Sequence, residues 1–447
     1  MGRRPKNKSE DPKPVRLQKF KTPSILRGMK DILPSEQPYW NTIHKIIDEL
    51  AKKYNFQKID LPILEEKSLF QRAIGKQSTL ISRELFCFTD PGNINVCLRP
   101  EATSSIVRAY IKHGMQALPQ PIKLFYAGPM FRYERPQSGV YRQFSQFGFE
   151  VLGKNNPVVD AQLILLCNNF FDKINIKTRL KINSMGCHIC RPNYNKELAK
   201  FLKSKKSRLC AECKKWVGKD PLKILDCKEK NCQFVKEECP QIIDWLCENC
   251  KSHFVNVLEY LDDLDIPYEL SPHLIRNMGY YTKTVFEVSP FEETDNSIYQ
   301  NSLGGGGRYD NLVEVLDGKS AGGCGFSIGI ERVVNQMKKQ NLSISQPEKP
   351  YVFLAQLGES ARRKSLSLFE ELHKENIFVI ESLATDSLKE QLELATKRGV
   401  KFILILGQKE VMDNTILLRD MDGGMQEIID FKKIIPELKK KIEEGKK

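Results

Sequence analysis

The stretch FRYERPQSGVYRQFSQFGFEVLG, residues 131–153, combines three arginines and two glutamates with six aromatic residues. Its alternating side chains and the PQSG segment predict two β-strands joined by a turn. The alternation places Arg142, Gln146 and Glu150 on one face of the second strand, and Arg132 and Glu134 on one face of the first. A solvated sheet face is the ordinary alternative, but a phenylalanine and a glycine separate these polar side chains and leave room for a ligand. We therefore interpret this face as the floor of a binding site.

A second polar segment, LRPEATSS at residues 98–105, begins a predicted helix and contributes Arg99, Glu101 and Thr103. Arginine binds phosphate through parallel hydrogen bonds, and glutamate pairs with an ammonium group. Thr103 either caps the helix or contacts a ligand. Together with the hairpin, these residue types suit a zwitterionic small molecule bound beside a nucleotide.

Two glycine-rich segments lie further along the chain. LGGGGRYDNL, residues 303–312, lacks the GK[ST] ending of a P-loop and the spacing of a Rossmann fingerprint. Its glycines indicate either a flexible turn or a close approach of the backbone to a ligand. GFSIGIERVV, residues 325–334, predicts a strand that runs into a helix, so Arg332 would lie near a helix N-terminus, where phosphate binds readily.

Nine of the 13 cysteines fall within residues 187–250, and eight of these, all but Cys239, are spaced in pairs. They form three Cys-x-x-Cys pairs and one wider pair: Cys187 and Cys190, Cys210 and Cys213, Cys247 and Cys250, and Cys227 and Cys232. In a reducing compartment this spacing is typical of zinc ligands. The sequence favours one structural four-cysteine site, although eight thiols could fill two, and reduced cysteines without metal are the alternative.

The composition excludes several classes of protein. The chain has 447 residues, enough for about two to four domains. It has no run of about 18 apolar residues and no apolar core behind its basic N-terminus, so neither a transmembrane helix nor a secretory signal is predicted. We therefore expect a cytoplasmic protein.

The net charge of +14 is concentrated in two segments, since residues 1–21 carry +6 and residues 196–231 carry +7. Such localised basic charge favours a nucleic-acid partner. A solubilising tail and a solvated helix face would give the same charges.

The pattern of apolar residues outlines the organisation of the chain. Residues 39–54 show helical spacing, and the strand pattern that follows is interrupted by Pro62, which predicts an edge strand. Such an edge beside a long amphipathic helix suits either a dimer interface or an ordinary monomer edge. Residues 186–256 are rich in cysteine and lysine and read as an insertion. A polar linker at 338–350 precedes about 100 residues of alternating strands and helices, which predict a separate α/β domain.

Six segments occur in the order found in one family: RGMKDILP, LRPEATSSIVRAY, GPMFRYERPQSGVYRQFSQFGFE, IRNMGYYTKTVFE, GGGRYDNLV and GFSIGIERVV. On these motifs, residues 22–440 resemble the class II aminoacyl-tRNA synthetases and, within them, the histidyl-tRNA synthetases. The resemblance implies an α+β fold with an antiparallel sheet flanked by helices. Ahead of it, residues 1–22 are rich in Lys and Pro and predict a disordered basic tail. The resemblance implies four regions after that tail: a first part of the catalytic core with motifs 1 and 2 (23–185), a Cys-rich insertion domain (186–256), a second part of the core (257–340) and an α/β anticodon-binding domain (349–447).

The resemblance also implies roles for individual residues. Arg132, Arg276 and Arg332 match the catalytic arginines that hold the ATP phosphates, and Glu134 and Arg142 match further ATP contacts. The implied histidine-binding residues are Glu101, Thr103, Gln146, Glu150, Arg276, Tyr280, Tyr281 and Tyr309.

Two loops complete the implied site. Arg135 and Gln137 fall in the loop that approaches the acceptor end of the tRNA. The family's R-G-L-D-Y-Y appears here as RNMGYY, residues 276–281, so an acidic residue is lost and the glycine has moved. The arginine and both tyrosines are retained.

The activity that the resemblance implies is that of a histidine–tRNA ligase. Such an enzyme forms histidyl-adenylate from L-histidine and ATP with Mg²⁺, releases pyrophosphate, and transfers histidine to the 3′ end of histidine tRNA. The resemblance further implies a homodimer. One alternative is a catalytically silent paralogue that acts as a regulatory subunit in histidine biosynthesis. Another is a zinc-containing nucleic-acid-binding protein without catalysis.

Overall fold

The computed structural model describes residues 22–135, 139–276, 278–291, 302–342, 344 and 349–444. Residues 1–21 of the predicted tail, Gln137 of the predicted acceptor-end contact and Asn277 of the altered loop lie outside the described residues. The chain divides after Ile344 into two compact units.

The helices of the first unit follow apolar residues spaced three or four apart. In the first of them Trp40, Ile43, Ile47 and Leu50 are buried on one side, as the spacing predicts. The helices are α1 Gln37–Lys53, α2 Lys67–Ile74, α3 Thr103–Lys112, α4 Pro157–Lys173, α5 Cys190–Ser204, α6 Ala211–Trp216, α7 Lys230–Glu237, α8 Glu248–Asp263, α9 Leu312–Val315 and α10 Ile330–Lys339.

Strands β1–β11 form two sheets in this unit. They are β1 Gln57–Lys58, β2 Leu64–Glu66, β3 Cys87–Thr89, β4 Asn95–Leu98, β5 Ile122–Phe131, β6 Gln143–Leu152, β7 Thr178–Ser184, β8 Glu269–Leu270, β9 Thr282–Pro290, β10 Gly304–Arg308 and β11 Gly323–Gly329. The large sheet has the order β1-β5-β6-β11-β10-β9-β7-β8, and a small one has the order β2-β4-β3.

The centre of the large sheet is antiparallel, and a two-residue parallel strand lies at each edge, β1 beside β5 and β8 beside β7. The prediction of an α+β fold built on an antiparallel sheet with flanking helices is confirmed, with these short edge strands added. Pro62 falls between β1 and β2 and divides the predicted edge strand into two, since proline cannot donate a ladder hydrogen bond.

The charged hairpin consists of β5 and β6, which pair from Phe131 opposite Gln143 to Ile122 opposite Leu152. Phe147, Phe149 and Val151 on one face of β6 belong to the main core, together with residues of α1, α4 and α10. The other face is thereby left to the polar side chains of the hairpin. The alternation read from the sequence is correct for this strand.

Glycines in β11 create space for two buried side chains of the neighbouring strands. A Cβ atom at Gly325 would lie 1.5 Å from Oε2 of Glu150, and one at Gly323 would lie 2.2 Å from the ring of Tyr309. Any side chain larger than hydrogen would displace these groups. Glycine in β11 therefore serves close packing against buried side chains. The glycines of LGGGGRYDNL lie in strand β10, so the flexible-turn interpretation is wrong and their approach to a ligand stays a prediction.

The insertion, helices α5–α8 with short helical turns between them, has an apolar cluster of its own that includes Tyr194, Leu198, Leu225 and Val235. Its last helix, α8, packs against α4 beneath the large sheet. The insertion is therefore joined to the core both by the chain and by helix packing.

The second unit is a five-stranded sheet with helices, which agrees with the predicted α/β pattern. Its helices are α11 Glu359–Lys374, α12 Leu388–Arg398, α13 Gln408–Met412 and α14 Ile434–Glu444, and its strands are β12 Val352–Gln356, β13 Val379–Glu381, β14 Phe402–Leu406, β15 Thr415–Asp420 and β16 Gln426–Asp430. The order is β13-β12-β14-β15-β16, with the first three strands parallel. Across the described portion of both units, every helix is too short or too polar to cross a bilayer.

Candidate active site

A cavity of about 340 Å³ opens over the polar face of the large sheet. Its walls come from the hairpin, the start of α3, the segment before β9 and the junction of β11 with α10. Nine of the residues singled out in the sequence line it: Glu101, Thr103, Arg132, Glu134, Gln146, Arg276, Tyr280, Tyr281 and Arg332. Side chains that lie up to 231 positions apart in the sequence thus share one cavity.

The three arginines occupy one side of this cavity, and each is held by a neighbour. Nε of Arg132 donates to the backbone oxygen of Pro100 at 2.9 Å, and its guanidinium lies over the ring of Phe144. The guanidinium of Arg332 donates to the backbone oxygen of Ser302, and burial lowers its pKa. These contacts fix the arginines in place before any ligand arrives.

Carboxylates partly balance this charge. Nη1 of Arg276 lies 3.5 Å from Oε2 of Glu287, and Nη1 of Arg132 lies 3.8 Å from Oε1 of Glu134. Both pairs are long for salt bridges, so the guanidinium groups retain donors for a further anion. An anionic ligand such as a polyphosphate suits this side of the cavity.

Acidic and phenolic groups occupy the other side. Glu150 accepts hydrogen bonds from Thr103 Oγ1 at 2.8 Å and from Tyr309 Oη at 2.6 Å. Glu101 accepts from the backbone N–H of Ser104 and from Tyr280 Oη at 3.4 Å. Thr103 therefore contacts an acid of the site. Its side chain does not cap α3, so the capping interpretation of the sequence is wrong.

Burial changes the acidity of these groups. It raises the pKa of Glu150 to about 8, against the hydrogen bonds from its two hydroxyl partners, and it raises the pKa of Glu101. The pKa of Tyr280 and that of Tyr309 also lie well above their ordinary value because both phenols are buried beside these acids. Buried acids of this kind suit a cationic ligand, because an ammonium group beside them would restore their charged form.

Four predicted residues lie outside the cavity lining. Glu150 and Tyr309 form a layer directly beneath it. Arg142 stacks on the ring of Tyr133 at 3.6 Å and donates to the backbone oxygens of Glu134 and Arg27. Its predicted ATP contact would need this side chain to move. Arg135 is exposed in the hairpin loop.

The sequence interpretation missed several lining residues, among them Tyr126 and Glu287. Glu287 had a signal, because it is the one acid in the otherwise apolar run TVFEVS of β9. Tyr126 also had one, because it pairs across the hairpin with Gly148, and only a glycine there leaves space for its ring. The interpretation considered each strand alone and so did not combine these signals.

A buried ion pair holds the end of β10, directly before Tyr309. Nε of Arg308 donates to both carboxylate oxygens of Asp160 at 3.1 Å, and its remaining donors reach Asp310 and two backbone oxygens before α4. Burial alone would raise the pKa of Asp160, but the guanidinium keeps that pKa below its ordinary value. His253 of α8 contacts the same carboxylate at 3.3 Å, so the insertion shares this anchor.

A second, larger cavity of about 980 Å³ adjoins the first. Arg132, Glu134 and Arg276 line both, so the two spaces are continuous. The far wall of the larger cavity belongs to the insertion and includes Trp216 and Lys223. A long polar molecule could reach the first cavity through this space.

The eight cysteines form two sets, whereas the sequence favoured one. The stem cluster consists of Cys187, Cys190, Cys247 and Cys250, at the two ends of the insertion. The lobe cluster consists of Cys210, Cys213, Cys227 and Cys232, within it. The partition was not readable from spacing because each set joins segments that meet only in the fold.

The distances within each set suit a tetrahedral metal. Sγ of Cys187 lies 3.6 Å from Sγ of Cys190 and 3.9 Å from Sγ of Cys247, and Sγ of Cys210 lies 3.9 Å from Sγ of Cys227. Four sulfurs at the usual zinc–sulfur distance of about 2.3 Å would be separated by about 3.8 Å. A disulfide would need about 2.05 Å.

The pKa values of the thiols also suit a metal site. Burial disfavours the thiolate of Cys187, yet N–H groups of Cys190 and Ile189 lower its pKa to about 6. Burial raises the pKa of Cys250 and Cys213. Four closely packed thiols cannot all ionise unaided, and a divalent cation would remove that obstacle.

Comparison with known proteins covers nearly the whole chain. The sequence model of the histidyl-tRNA synthetase family matches residues 28–333, and that of an anticodon-binding domain matches residues 351–441. The chain is 39% identical over 417 residues to the histidine–tRNA ligase of Dehalococcoides mccartyi, which covers 93% of this chain and 99% of that protein. The enzyme of the same name from Acetivibrio thermocellus is also 39% identical, over 414 residues, with 92% and 98% covered.

Among solved structures, apo histidyl-tRNA synthetase of S. aureus aligns with a TM-score of 0.76 at 35% sequence identity, and the alignment covers 93% of this chain and 99% of that one. The likeness therefore includes the sheet, the insertion and the C-terminal unit.

The buried acid Glu150 predicts a pH-dependent stability. Its pKa is about 8 in the folded protein against 4.5 for an ordinary glutamate. The folded state therefore binds the extra proton, and stability falls as pH rises from 4.5 to 8. Glu150→Gln removes this titration, so its stability relative to the wild type should increase by up to about 1.4 kcal/mol per pH unit.

The measurement is the free energy of unfolding from urea titrations of both proteins at pH 5, 6.5 and 8. The free energy of unfolding of the variant, relative to that of the wild type, should increase at each step in pH. A constant difference between the two proteins across this range would contradict the assignment of Glu150 as a buried neutral acid.

Proposed function

The chain belongs to the histidyl-tRNA synthetase family, and we propose that it joins L-histidine to histidine tRNA in two steps within the smaller cavity. The observation that carries this proposal is the division of that cavity. Arg132, Arg276 and Arg332 lie on one side, and Glu101 and Tyr280 lie on the other. One side suits a triphosphate and the other an amino acid.

In the first step a carboxylate oxygen of histidine attacks the α-phosphorus of ATP, and pyrophosphate leaves. We assign Arg132 and Arg276 to the α-phosphate and Arg332 to the γ-phosphate. Negative charge spreads over the phosphoryl oxygens in the transition state, and fixed guanidinium groups stabilise it without reorganisation. The reaction needs no side-chain nucleophile. Glu134 and Glu287 offer the oxygen ligands that Mg²⁺ prefers, and the ion would neutralise charge on the phosphates.

Recognition of histidine falls to the acidic side. We assign its ammonium group to Glu101 and Gln146, with Glu150 beneath them, and its imidazole to the tyrosines Tyr280, Tyr281 and Tyr309. A pocket built to hydrogen-bond an imidazole leaves buried groups unpaired when another amino acid binds. Discrimination of about 10⁴–10⁵ is accessible by that route.

In the second step a terminal hydroxyl of the tRNA attacks the histidyl carbonyl carbon, and AMP leaves. The larger cavity adjoins the site and has a wall from the basic insertion, so we assign it to the acceptor end. Arg135 and Gln137 of the hairpin loop are assigned to the same end. Residues 349–447 are assigned to the anticodon, and we expect the enzyme to work in the cytoplasm.

The alternative of a catalytically silent regulatory paralogue is less supported. All three catalytic arginines line one cavity, and the chain spans the full length of named ligases. A nucleic-acid-binding protein without catalysis would need neither the arginine cluster nor the buried acid and tyrosine set beside it.

Amino-acid-dependent exchange of pyrophosphate into ATP, without tRNA, tests the activation step. We expect exchange with histidine and none above background with other amino acids. Arg276→Gln should reduce the rate by about 10²–10³-fold, because a fixed donor to the developing charge is lost. Arg363→Gln, an exposed arginine of the C-terminal unit, is the matched control and should keep the wild-type rate. If the folded protein shows no exchange with histidine, the result would favour the silent paralogue.

We also propose a homodimer. Exposed apolar side chains gather on the small sheet and the segment before it, including Ile63, Leu64, Phe88 and Ile94. A patch of this kind on a soluble protein usually marks an interface. Analytical ultracentrifugation should give twice the chain mass of 51.5 kDa, and Phe88→Glu should shift the species toward the monomer. A wild-type protein that stays monomeric at micromolar concentration would contradict this assignment.

Zinc is the metal we assign to both cysteine clusters, in a structural role, because four thiolates at tetrahedral spacing select it. Elemental analysis of protein expressed with added zinc should give about two ions per chain, one for each four-cysteine set. Cys227→Ser should reduce the content to about one. A value near zero for the wild type would show that the clusters are reduced thiols without metal.

A further inference from the structure

The stem cluster lies at the point where the insertion leaves and rejoins the core, close to the histidine side of the cavity. Cys187 follows β7 by three residues, and Cys250 lies in the first turn of α8. Both ends of the insertion therefore meet in one set of sulfurs. Whatever those sulfurs bind fixes the entry and exit of the insertion at once.

Arg191 connects the stem cluster to the histidine pocket directly. It follows the ligand Cys190, and its backbone N–H donates to the oxygen of Cys187 at 3.0 Å. Its guanidinium donates to the backbone oxygen of Tyr281 and, at 3.3 Å, to that of Met185. One side chain thus spans from the cysteine turn to a residue that lines the cavity.

The charge of Arg191 has a reason to remain in this half-buried position. A zinc ion with four thiolates would carry a net charge of about −2. The guanidinium would then be paired with an anionic cluster, and the metal would hold it where it reaches Tyr281.

A second connection runs through the backbone. The N–H of Met185 donates to Lys283 at 2.6 Å, and the N–H of Lys283 donates to Gly186 at 2.9 Å. Lys283 has φ of 46°, a conformation that a residue with a side chain adopts only when its surroundings impose it. Gly186 is adjacent to Cys187, so the strained backbone behind Tyr281 is held by the same cysteine turn.

The lobe cluster is differently placed. Among the residues that the structure describes, the backbone hydrogen bonds to its sulfurs come from its own members, from Cys210 to Cys232 at 3.2 Å and from Cys213 to Cys210 at 3.4 Å. It borders the larger cavity on the insertion side. The two clusters have the same chemistry, and the lobe cluster also approaches the smaller cavity, through Asp226 beside Cys227. The stem cluster differs in the hydrogen bonds by which Arg191 and Lys283 join its turn to the backbone around Tyr281.

We propose that the stem cluster binds a zinc ion that positions Tyr281 through Arg191, so that histidine affinity depends on this ion and not on the ion of the lobe cluster. The proposal rests on the assignment of the smaller cavity to histidine. Arg191 acts as a positioning residue, since it contacts the backbone of the pocket and not the substrate. Tyr281 also faces Arg276, whose guanidinium lies 5.7 Å from its ring, so part of the phosphate side is coupled to it. Arg132 and Arg332 are held by Pro100 and Ser302 instead, so ATP affinity should change less than histidine affinity.

The test compares matched variants of the full-length protein. Cys247→Ser and Cys227→Ser each remove one partly buried ligand, from the stem cluster and the lobe cluster respectively. Zinc per chain is measured by elemental analysis, and histidine and ATP affinities are measured by titration calorimetry. We expect each variant to lose the ion of its own cluster and to keep the other. Cys247→Ser should bind histidine about tenfold more weakly with a smaller change in ATP affinity, and Cys227→Ser should bind both ligands as the wild type does.

Arg191→Lys separates the positioning role from metal binding, because lysine keeps the charge but cannot make the two-pronged contact. It should keep both ions, weaken histidine binding, and speed hydrogen exchange at the N–H of Lys283. Arg208→Lys, at an arginine of the insertion that pairs with Glu238, is the control and should change none of these values.

Two results would overturn the proposal. One is unchanged histidine affinity in Arg191→Lys, which decides the matter even where Cys247→Ser does not fold. The other is equal weakening of histidine binding by Cys247→Ser and Cys227→Ser. Neither result would affect the proposed ligase activity, which fails separately if the wild-type protein with both ions binds no histidine.

Discussion

The buried pair of Arg308 and Asp160 is the interaction on which the rest of the catalytic unit depends. It joins the glycine-rich strand β10 to helix α4, and through His253 it joins both to the last helix of the insertion. Removing a charge from water is costly, and this pair is stable only because the donors of the guanidinium find oxygen partners. Loss of one partner of such a pair costs about 3–5 kcal/mol. Tyr309 follows Arg308 directly, so the anchor also fixes the phenol that donates to Glu150 beneath the cavity.

From that anchor the site separates into two regions of opposite charge. The arginine side is partly neutralised by long ion pairs and stays positive, whereas the acidic side is largely neutral while it is empty because burial raises the pKa of Glu150 to about 8. A zwitterion with its carboxylate toward the arginines and its ammonium toward the acids satisfies both regions at once. The same orientation points the carboxylate at the phosphate-binding side, so binding also aligns the reacting groups.

Much of this arrangement was predictable from the sequence, because strand alternation and ordered motifs are local signals. Gln146 and Glu150 lie where the alternation places them, and the fold class is correct. What the sequence did not specify depends on contacts between distant segments. Arg142 lies directly before β6, where Tyr133 and the backbone oxygen of Arg27 hold its guanidinium, so its ATP contact stays a prediction. The division of eight cysteines into two sets of four likewise depends on how the ends of the insertion meet, which spacing alone does not specify.

Metal ligands at the point where the insertion leaves and rejoins the core have a physical reason. An inserted segment of about 70 residues has room for one small apolar cluster of its own, and modules of that size often need an added constraint. A constraint at the two crossing points restricts the whole segment relative to the core, whereas one inside the lobe restricts only the lobe. In this chain the crossing point is also the support of Lys283 and Tyr281. Zinc on the same cysteines would therefore stabilise the insertion and hold the shape of the proposed histidine pocket, so stability and substrate recognition would be coupled at one place.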